Sequence, residues 1–357
     1  ALHLQARGVQ VILIDRQQPG NGTSHGNAGL IERSSVIPYA FPRELSSLVR
    51  YGLNQQSDVR YSWRYLPKVA PWLFTYWQNS SPPRLNLAAR AMLPLVQRCV
   101  DEHDVLIEAA GMSDLIKANG WIEVFRNQPA FIKAQADAHA LRPYGLRYEV
   151  LDGEQLRERE PSLNEQAVGG IHWLDPKTVS DPGALTRGYA ALFIKRGGQF
   201  IQGDALTLKQ LDGGWQVQTE QGPVSAEQAV IALGPQAPEL FKPLGYRIPL
   251  AIKRGYHMHY SSLHDAQLQH SICDAQGGYV LAPMAQGIRL TTGIEFAESS
   301  DQANDIQLSR CEALARKFYP LGERLDPEPW LGRRPCLPDM RPVIGPAVHH
   351  PGLWFNF

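Results

Sequence analysis

The sequence predicts an α/β protein in two parts, one layered about a parallel sheet and one an α+β unit about an antiparallel sheet. Three stretches predict it. Residues 9–15 (VQVILID) form a short, β-branched, largely apolar run ending in an acid, the appearance of a buried parallel strand. Residues 182–234 repeat that grammar, with a helical stretch stopped by Gly197 and Gly198 and followed by β-type runs. Residues 248–260, 278–281 and 288–294 then read as strands of an antiparallel sheet.

Each element has a local reason. Residues 1–8 (ALHLQARG) read as the end of a helix with Gly8 as its C-terminal stop. Helix, glycine, strand and terminal acid make the second half of a βαβ dinucleotide-binding unit, where the acid hydrogen-bonds the adenosine ribose. The first strand, and the glycine turn that puts a helix N-terminus under the pyrophosphate, do not precede it. The expectation is therefore a Rossmann-like domain truncated at its start. Residues 20–31 (GNGTSHGNAGLI) form a loop of small and polar residues. Residues 41–111 are helical in pattern, broken by Pro67, Pro71, Pro82 and Pro83, with Pro94 as a kink in the longest amphipathic stretch, 86–110. Residues 120–125 (GWIEVF) alternate like a half-buried strand, and 151–161 form a short helix ended before proline. The helix at 182–196 leads to strands at 199–203, 215–219 and 228–234 (QAVIALG), the last buried and closed by a small-residue turn. Residues 307–318 form a helix, and prolines and glycines crowd the tail from Pro327.

Composition narrows the function. Lys+Arg and Asp+Glu are 35 each, so the chain lacks the positive surplus of a nucleic-acid binder. The four cysteines are scattered without a CxxC pair, which predicts neither a metal site nor a disulfide framework and fits a reducing, cytoplasmic setting. No run reaches the roughly 20 apolar residues that span a bilayer. HExxH is absent as well.

Four groups could carry chemistry. Asp15 has the place of a ribose-binding acid. The loop Thr23-Ser24-His25-Gly26-Asn27-Ala28-Gly29 lets backbone lie against a flat or charged ligand, or is a plain flexible loop. Arg333 and Arg334, in a segment stiffened by Pro and Gly, suit a carboxylate clamp or a surface pair. His257 and His259 alternate on one strand and share a side, as pocket lining, metal ligands or satisfied sheet histidines. Tyr279, in GYVLAP, reads as core by itself.

In this order and spacing the chain resembles the FAD-dependent amino acid oxidoreductases related to glycine oxidase, sarcosine oxidase and bacterial D-amino acid dehydrogenase. The matches run along nearly the whole chain. They are the strand ending in Asp15, the TSHGNAG loop, Arg159-Glu160-Pro161, Val179-Ser180-Asp181-Pro182, Ile231-Ala232-Leu233-Gly234, Lys253-Arg254-Gly255, Tyr279, and Trp330 through Arg334-Pro335 and Pro338-Asp339 to Ile344-Gly345. The NAG loop is most similar to the D-amino acid dehydrogenase branch. The sequence departs from the family at both ends, lacking the first strand and glycine turn and stopping before the usual GHGxxG-like turn and last helix.

The resemblance implies a glutathione-reductase-like FAD-binding domain from 1–112, 152–240 and 328–357, and a substrate domain from 113–151 and 241–327. It implies FAD held non-covalently. Asp15 and Arg16 would hold the ribose. Ser24, His25, Asn27, Ala28, Gly29 and Leu30 would run along the pyrophosphate and isoalloxazine. Ala205 would serve the adenine, and Ala232 and Gly234 would pack beneath the cofactor. Arg334 would grip the substrate carboxylate with help from Tyr279, while Arg333 faces the other way. No metal is implied.

The implied reaction is oxidative deamination of an amino acid, of the D-amino acid dehydrogenase kind. Hydride leaves Cα for flavin N5, and the products are a 2-oxo acid and ammonia. Sarcosine-type relatives keep a lysine near the flavin for reaction with oxygen, and none lies between Lys253 and Lys317. The expected acceptor is thus a quinone or another electron-transfer partner, consistent with peripheral attachment at an inner membrane. A glycine, sarcosine or D-hydroxyproline oxidase or dehydrogenase, and a non-catalytic flavoprotein-like subunit, are the rival readings.

Overall fold

The computed structural model describes residues 1–164 and 167–357. An eleven-stranded sheet organises it. Its long path is β3 (Val59–Tyr61), β17 (Ile294–Phe296), β13 (Ala251–Ser262), β16 (Gly287–Thr292), β15 (Tyr279–Met284), β14 (Ser271–Asp274), β5 (Trp121–Phe125), β7 (Gly169–Trp173) and β6 (Tyr148–Asp152). Two further strands, β18 (Leu321–Arg324) and β19 (Trp330–Cys336), pair with β13. β3, β7 and β19 come from stretches that the sequence reading gives to the nucleotide-binding part. β5 is buried on both sides instead of half-exposed, because Ile122 and Val124 enter the core under α9 (Ile306–Phe318) while Trp121 and Phe125 enter the core on the opposite face.

One face of this sheet is covered by α9 (Ile306–Phe318), with Leu308, Cys311, Ala315 and Phe318 packed on Tyr256, Met258, Tyr260, Tyr279 and Leu281. The other face meets a second core, in which Trp121, Phe125, Ile171 and Trp173 pack with Ala89 of α4 (Pro82–Ala110) and with Phe131 and Ala138 of α5 (Gln128–Ala140). α4 runs through Pro94 and ends at Gly111, whose φ of +67° is the left-handed stop of a helix.

The parallel features lie in smaller sheets. β1 (Ile12–Asp15) pairs in parallel with β9 (Gln199–Leu211), which continues to β10 (Gly214–Thr219) and β11 (Gly222–Ala226). β12 (Ala229–Ile231) pairs in parallel with β21 (Leu353–Asn356), beside β20 (Ile344–Pro346). Both β1 and β12 are edge strands. Ile12 and Leu13 are exposed, where the apolar run predicts burial, and so is Val230. A third small sheet joins β2 (Leu30–Ile31), β8 (Lys177–Val179) and β4 (Ile116–Lys117). After β8, Asp181 caps α7 (Pro182–Lys195) by accepting from Ala184 N at 2.8 Å, with proline at its first position.

Candidate active site

β13 presents two kinds of side chain. Arg254, Tyr256, Met258 and Tyr260 point to α9, while Lys253, Gly255, His257 and His259 point to the opposite face. Cross-strand partners extend the second set across the sheet, with His257 beside Thr291, Thr291 beside Val280, Val280 beside Cys273, and Cys273 beside Glu123. The glycine-containing loop from Thr23 to Gly29 lies against this face, so it is called the loop face below.

Buried side chains hold that loop by its carbonyls. His257 Nδ1 donates to Gly26 O at 3.1 Å, and Arg289 Nη1 donates to Asn27 O at 2.7 Å. His259 Nε2 accepts from Arg289 Nε at 3.0 Å, which leaves its proton on Nδ1, and Nδ1 donates to Asp326 at 2.8 Å. Burial, reinforced by the Arg289 charge, pushes His257 down to about 3 and lowers His259 as well, so both are neutral at pH 7. His257, His259 and Asp326 do bring three ligand-type atoms within 4.8 Å of one another. With both nitrogens of His259 occupied and a guanidinium adjacent, the trio acts as a clamp on the loop. Inside the loop Asn27 Oδ1 accepts from Gly29 N at 2.8 Å. Gly29 has φ +67°, and a Cβ there would stand 2.4 Å from Val179 O, so only glycine lets the loop pass.

β19 brings Arg334 to the same face. Its guanidinium lies over Gly255, where a Cβ would stand 2.7 Å from Nη2. Nη1 and Nη2 donate to Gly293 O at 3.4 Å and Thr292 O at 3.2 Å, and among the described residues no carboxylate pairs with it. Lys253, opposite Arg334 in register, sets its ammonium 4.5 Å from the Tyr76 ring and 5.3 Å from the Trp72 ring of α3 (Leu66–Asn79). Burial lowers the pKa of both. Two adjacent half-buried cations without an acid seek an anion, since desolvated charge is costly until it is paired. Arg333 faces away, donating to Ser299 O at 2.9 Å.

The other candidates fall in three places. Ser24 and His25 sit in the turn against β19, with the His25 ring 6.1 Å from Trp330; Ala28 and Leu30 follow, and Leu30 packs against the Trp121 core. Ala232 and Gly234 close β12, and a Cβ on Gly234 would stand 3.9 Å from Pro335, next to Arg334. Asp15 lies at the carboxyl end of β1, exposed, with Oδ1 accepting from Gln17 N at 2.9 Å. Arg16 faces Asp204 at 3.3 Å, beside Ala205.

Tyr279 is not brought to Arg334. Its cross-strand partner Thr292 belongs to the row on the α9 face, and its hydroxyl accepts from Arg126 Nη2 at 3.3 Å beside Asp274. The physical reason is the two-residue alternation of β15, which turns Val280 to the loop face and Tyr279 away from it. Sequence reasoning missed Arg289, Asp326 and Glu123 as parts of this face. Only the alternation of Tyr256-His257-Met258-His259-Tyr260 hinted at it, and the partners come from distant strands.

The chain belongs to the FAD dependent oxidoreductase family, whose family model matches residues 1–357. It is similar to a D-amino-acid oxidase of Bradyrhizobium diazoefficiens, at 28% identity over 359 residues, covering 97% of this chain and 84% of that protein. A D-amino acid dehydrogenase of Rhizobium rhizogenes is 28% identical over 366 residues, covering 100% of this chain and 87% of that one. In fold it resembles glycine oxidase from Geobacillus kaustophilus, with TM-score 0.70 at 18% identity over 99% of this chain and 83% of that chain. FAD is thus the cofactor of an α/β oxidoreductase. The donor set suits it, since Asp15 lies exposed at the carboxyl end of a parallel strand and its second oxygen has no protein donor among the described residues. Among the described residues no helix is long and apolar enough to cross a membrane.

Proposed function

We propose that the protein oxidises a D-amino acid, with Arg334 holding the substrate carboxylate. The observation that supports this is a half-buried guanidinium on the loop face with carbonyls but, among the described residues, no acid around it. The two named D-amino acid enzymes, similar over nearly the whole chain, support the substrate class. Asp15 and Arg16 would hold the adenosine ribose, with Ala205 at the adenine. Ser24, His25, Asn27, Ala28, Gly29 and Leu30 would line the cofactor, with Ala232 and Gly234 beneath it. When bound, FAD supplies the redox chemistry by accepting the substrate's α-hydrogen as hydride.

The remaining work falls to this chain. Arg334 and Lys253 fix the carboxylate and so aim the Cα–H bond, which makes positioning the main source of rate. His257 and Arg289 hold the loop carbonyls, so the loop does not shift when substrate enters. Loss of hydride from Cα and of a proton from the amine leaves an imino acid, and water converts it to a 2-oxo acid and ammonia. Reducing equivalents would pass to a quinone or an electron-transfer protein, at a membrane surface or away from one. Tyr279 has no part in gripping the carboxylate on this reading.

Arg334→Ala in FAD-loaded enzyme should lower kcat/KM for D-amino acids about a thousandfold, about 4 kcal/mol of transition-state binding. The flavin spectrum should persist. Wild-type turnover in that variant would sink the reading.

A further inference from the structure

The loop face carries a second set of unpaired charges at its far end. Glu32 directly follows β2, three residues beyond Gly29, and Glu123 projects from the middle of β5 in the same row as Cys273 and Thr291. Ser34 N and Ser35 N donate to one oxygen of Glu32, at 2.6 and 3.1 Å. Among the described residues neither carboxylate is in an ion pair. Burial raises the pKa of both, Glu123 to about 7.

Aromatic groups wall the two acids. The Trp121 Nε1–H is directed toward Glu32 and the Trp173 Nε1–H toward Glu123. Each tryptophan is only 7% exposed, yet neither Nε1 closes a hydrogen bond within the structure. The two rings lie 6.4 Å apart at 35°. The Tyr39 hydroxyl feels the same two acids and Cys273, on a residue that is 80% exposed as a whole. Leu30, the end of the glycine-containing loop, packs against this cluster together with Cys273.

Half-buried acids without an ion partner keep part of their desolvation cost uncompensated. Distance links the two ends of the face. The Arg334 guanidinium lies over the carbonyls of Thr292 and Gly293, and Glu123 is three strands further on. At strand spacing that is about 14 Å of backbone separation. The inward reach of both side chains shortens it to a gap that a long extended side chain spans and alanine does not.

We propose that Glu32 and Glu123, walled by Trp121 and Trp173, are the side-chain end of the substrate site and take a cationic group. The substrate is then a basic amino acid of the lysine, ornithine or arginine type, held at its carboxylate by Arg334 and at its far end by the two acids. This rests on Arg334 as the carboxylate end.

The test uses FAD-loaded enzyme and an artificial electron acceptor with D-arginine, D-lysine, D-norleucine and D-alanine. Basic substrates should exceed D-norleucine at least tenfold in kcat/KM. Glu123→Gln should collapse the arginine-to-norleucine ratio to about one, mainly through KM for D-arginine. Equal use of D-norleucine by the wild type, or an unchanged ratio in Glu123→Gln, overturns the proposal. A binding measurement separates this from the carboxylate reading. Agmatine, which has the guanidinium and lacks the carboxylate, should quench tryptophan fluorescence saturably in wild type and in Arg334→Ala, and not in Glu123→Gln. No saturable quenching by agmatine in wild type overturns the proposal even if D-amino acids are oxidised. Agmatine binding without turnover of any amino acid would sink the carboxylate reading alone.

Discussion

The two faces of the large sheet treat charge in opposite ways. On the α9 face every prominent ion is matched. Arg254 Nε lies 3.1 Å from Glu295, which also accepts from Tyr256 Oη at 2.6 Å, and Arg126 lies 2.6 Å from Asp274. On the loop face Arg334, Lys253 and Glu123 have no ion partner among the described residues, and Glu32, packed against that face, has none either. The same strands build both faces, so secondary structure does not explain the contrast. A fold that needed those charges only for stability would have paired or replaced them. Charges left unpaired in a low-dielectric face are waiting for a ligand, and their signs describe it, anionic at one end and cationic at the other.

The contrast is easiest to break on the paired face. Glu295→Ala strands a fully buried Arg254 and should cost about 3–5 kcal/mol in urea unfolding, since an orphaned buried charge keeps its desolvation penalty. Arg334→Met should behave oppositely, with stability unchanged or raised by roughly 1 kcal/mol while amino acid turnover is lost. A stability loss there as large as that of Glu295→Ala would erase the distinction between the faces.

Glu123 sharpens it through pH. Its folded pKa lies above its ordinary value, so the folded state holds the proton more tightly than the unfolded chain. Its contribution to stability is complete at pH values below the ordinary carboxylate range and falls as pH rises toward about 7. Unfolding at pH 5 and pH 8 should show roughly 1–2 kcal/mol of that slope, and Glu123→Gln should remove it. The smallest effect belongs to the clamp. Asp326→Asn loosens His259 and, through Arg289, the Asn27 carbonyl, and should weaken flavin retention about threefold, read by fluorescence on dilution.

Local signals carried much of the fold. Gly8 and Gly111, both at left-handed φ, and the Asp181-Pro182 start of α7 follow from propensity and capping alone, and the structure shows each of them. The shared side of His257 and His259 was legible for the same reason, as was the outward turn of Arg333, because strand alternation is a property of the backbone. The same rule misled nothing at Tyr279. It had only to be applied from a strand whose facing was unknown until β15 was seen beside β16 and β14.

By itself, then, the sequence determined element types, their order and membership of a family, since periodicity, caps and motif order are written along one dimension. Tertiary structure decided which strands share a sheet, which face each side chain takes, and which charges go unpaired. Those depend on contacts between residues more than a hundred positions apart, as with Asn27 and Arg289 or Cys273 and Glu123. No local energy term records such a meeting, because it exists only once the chain has closed on itself.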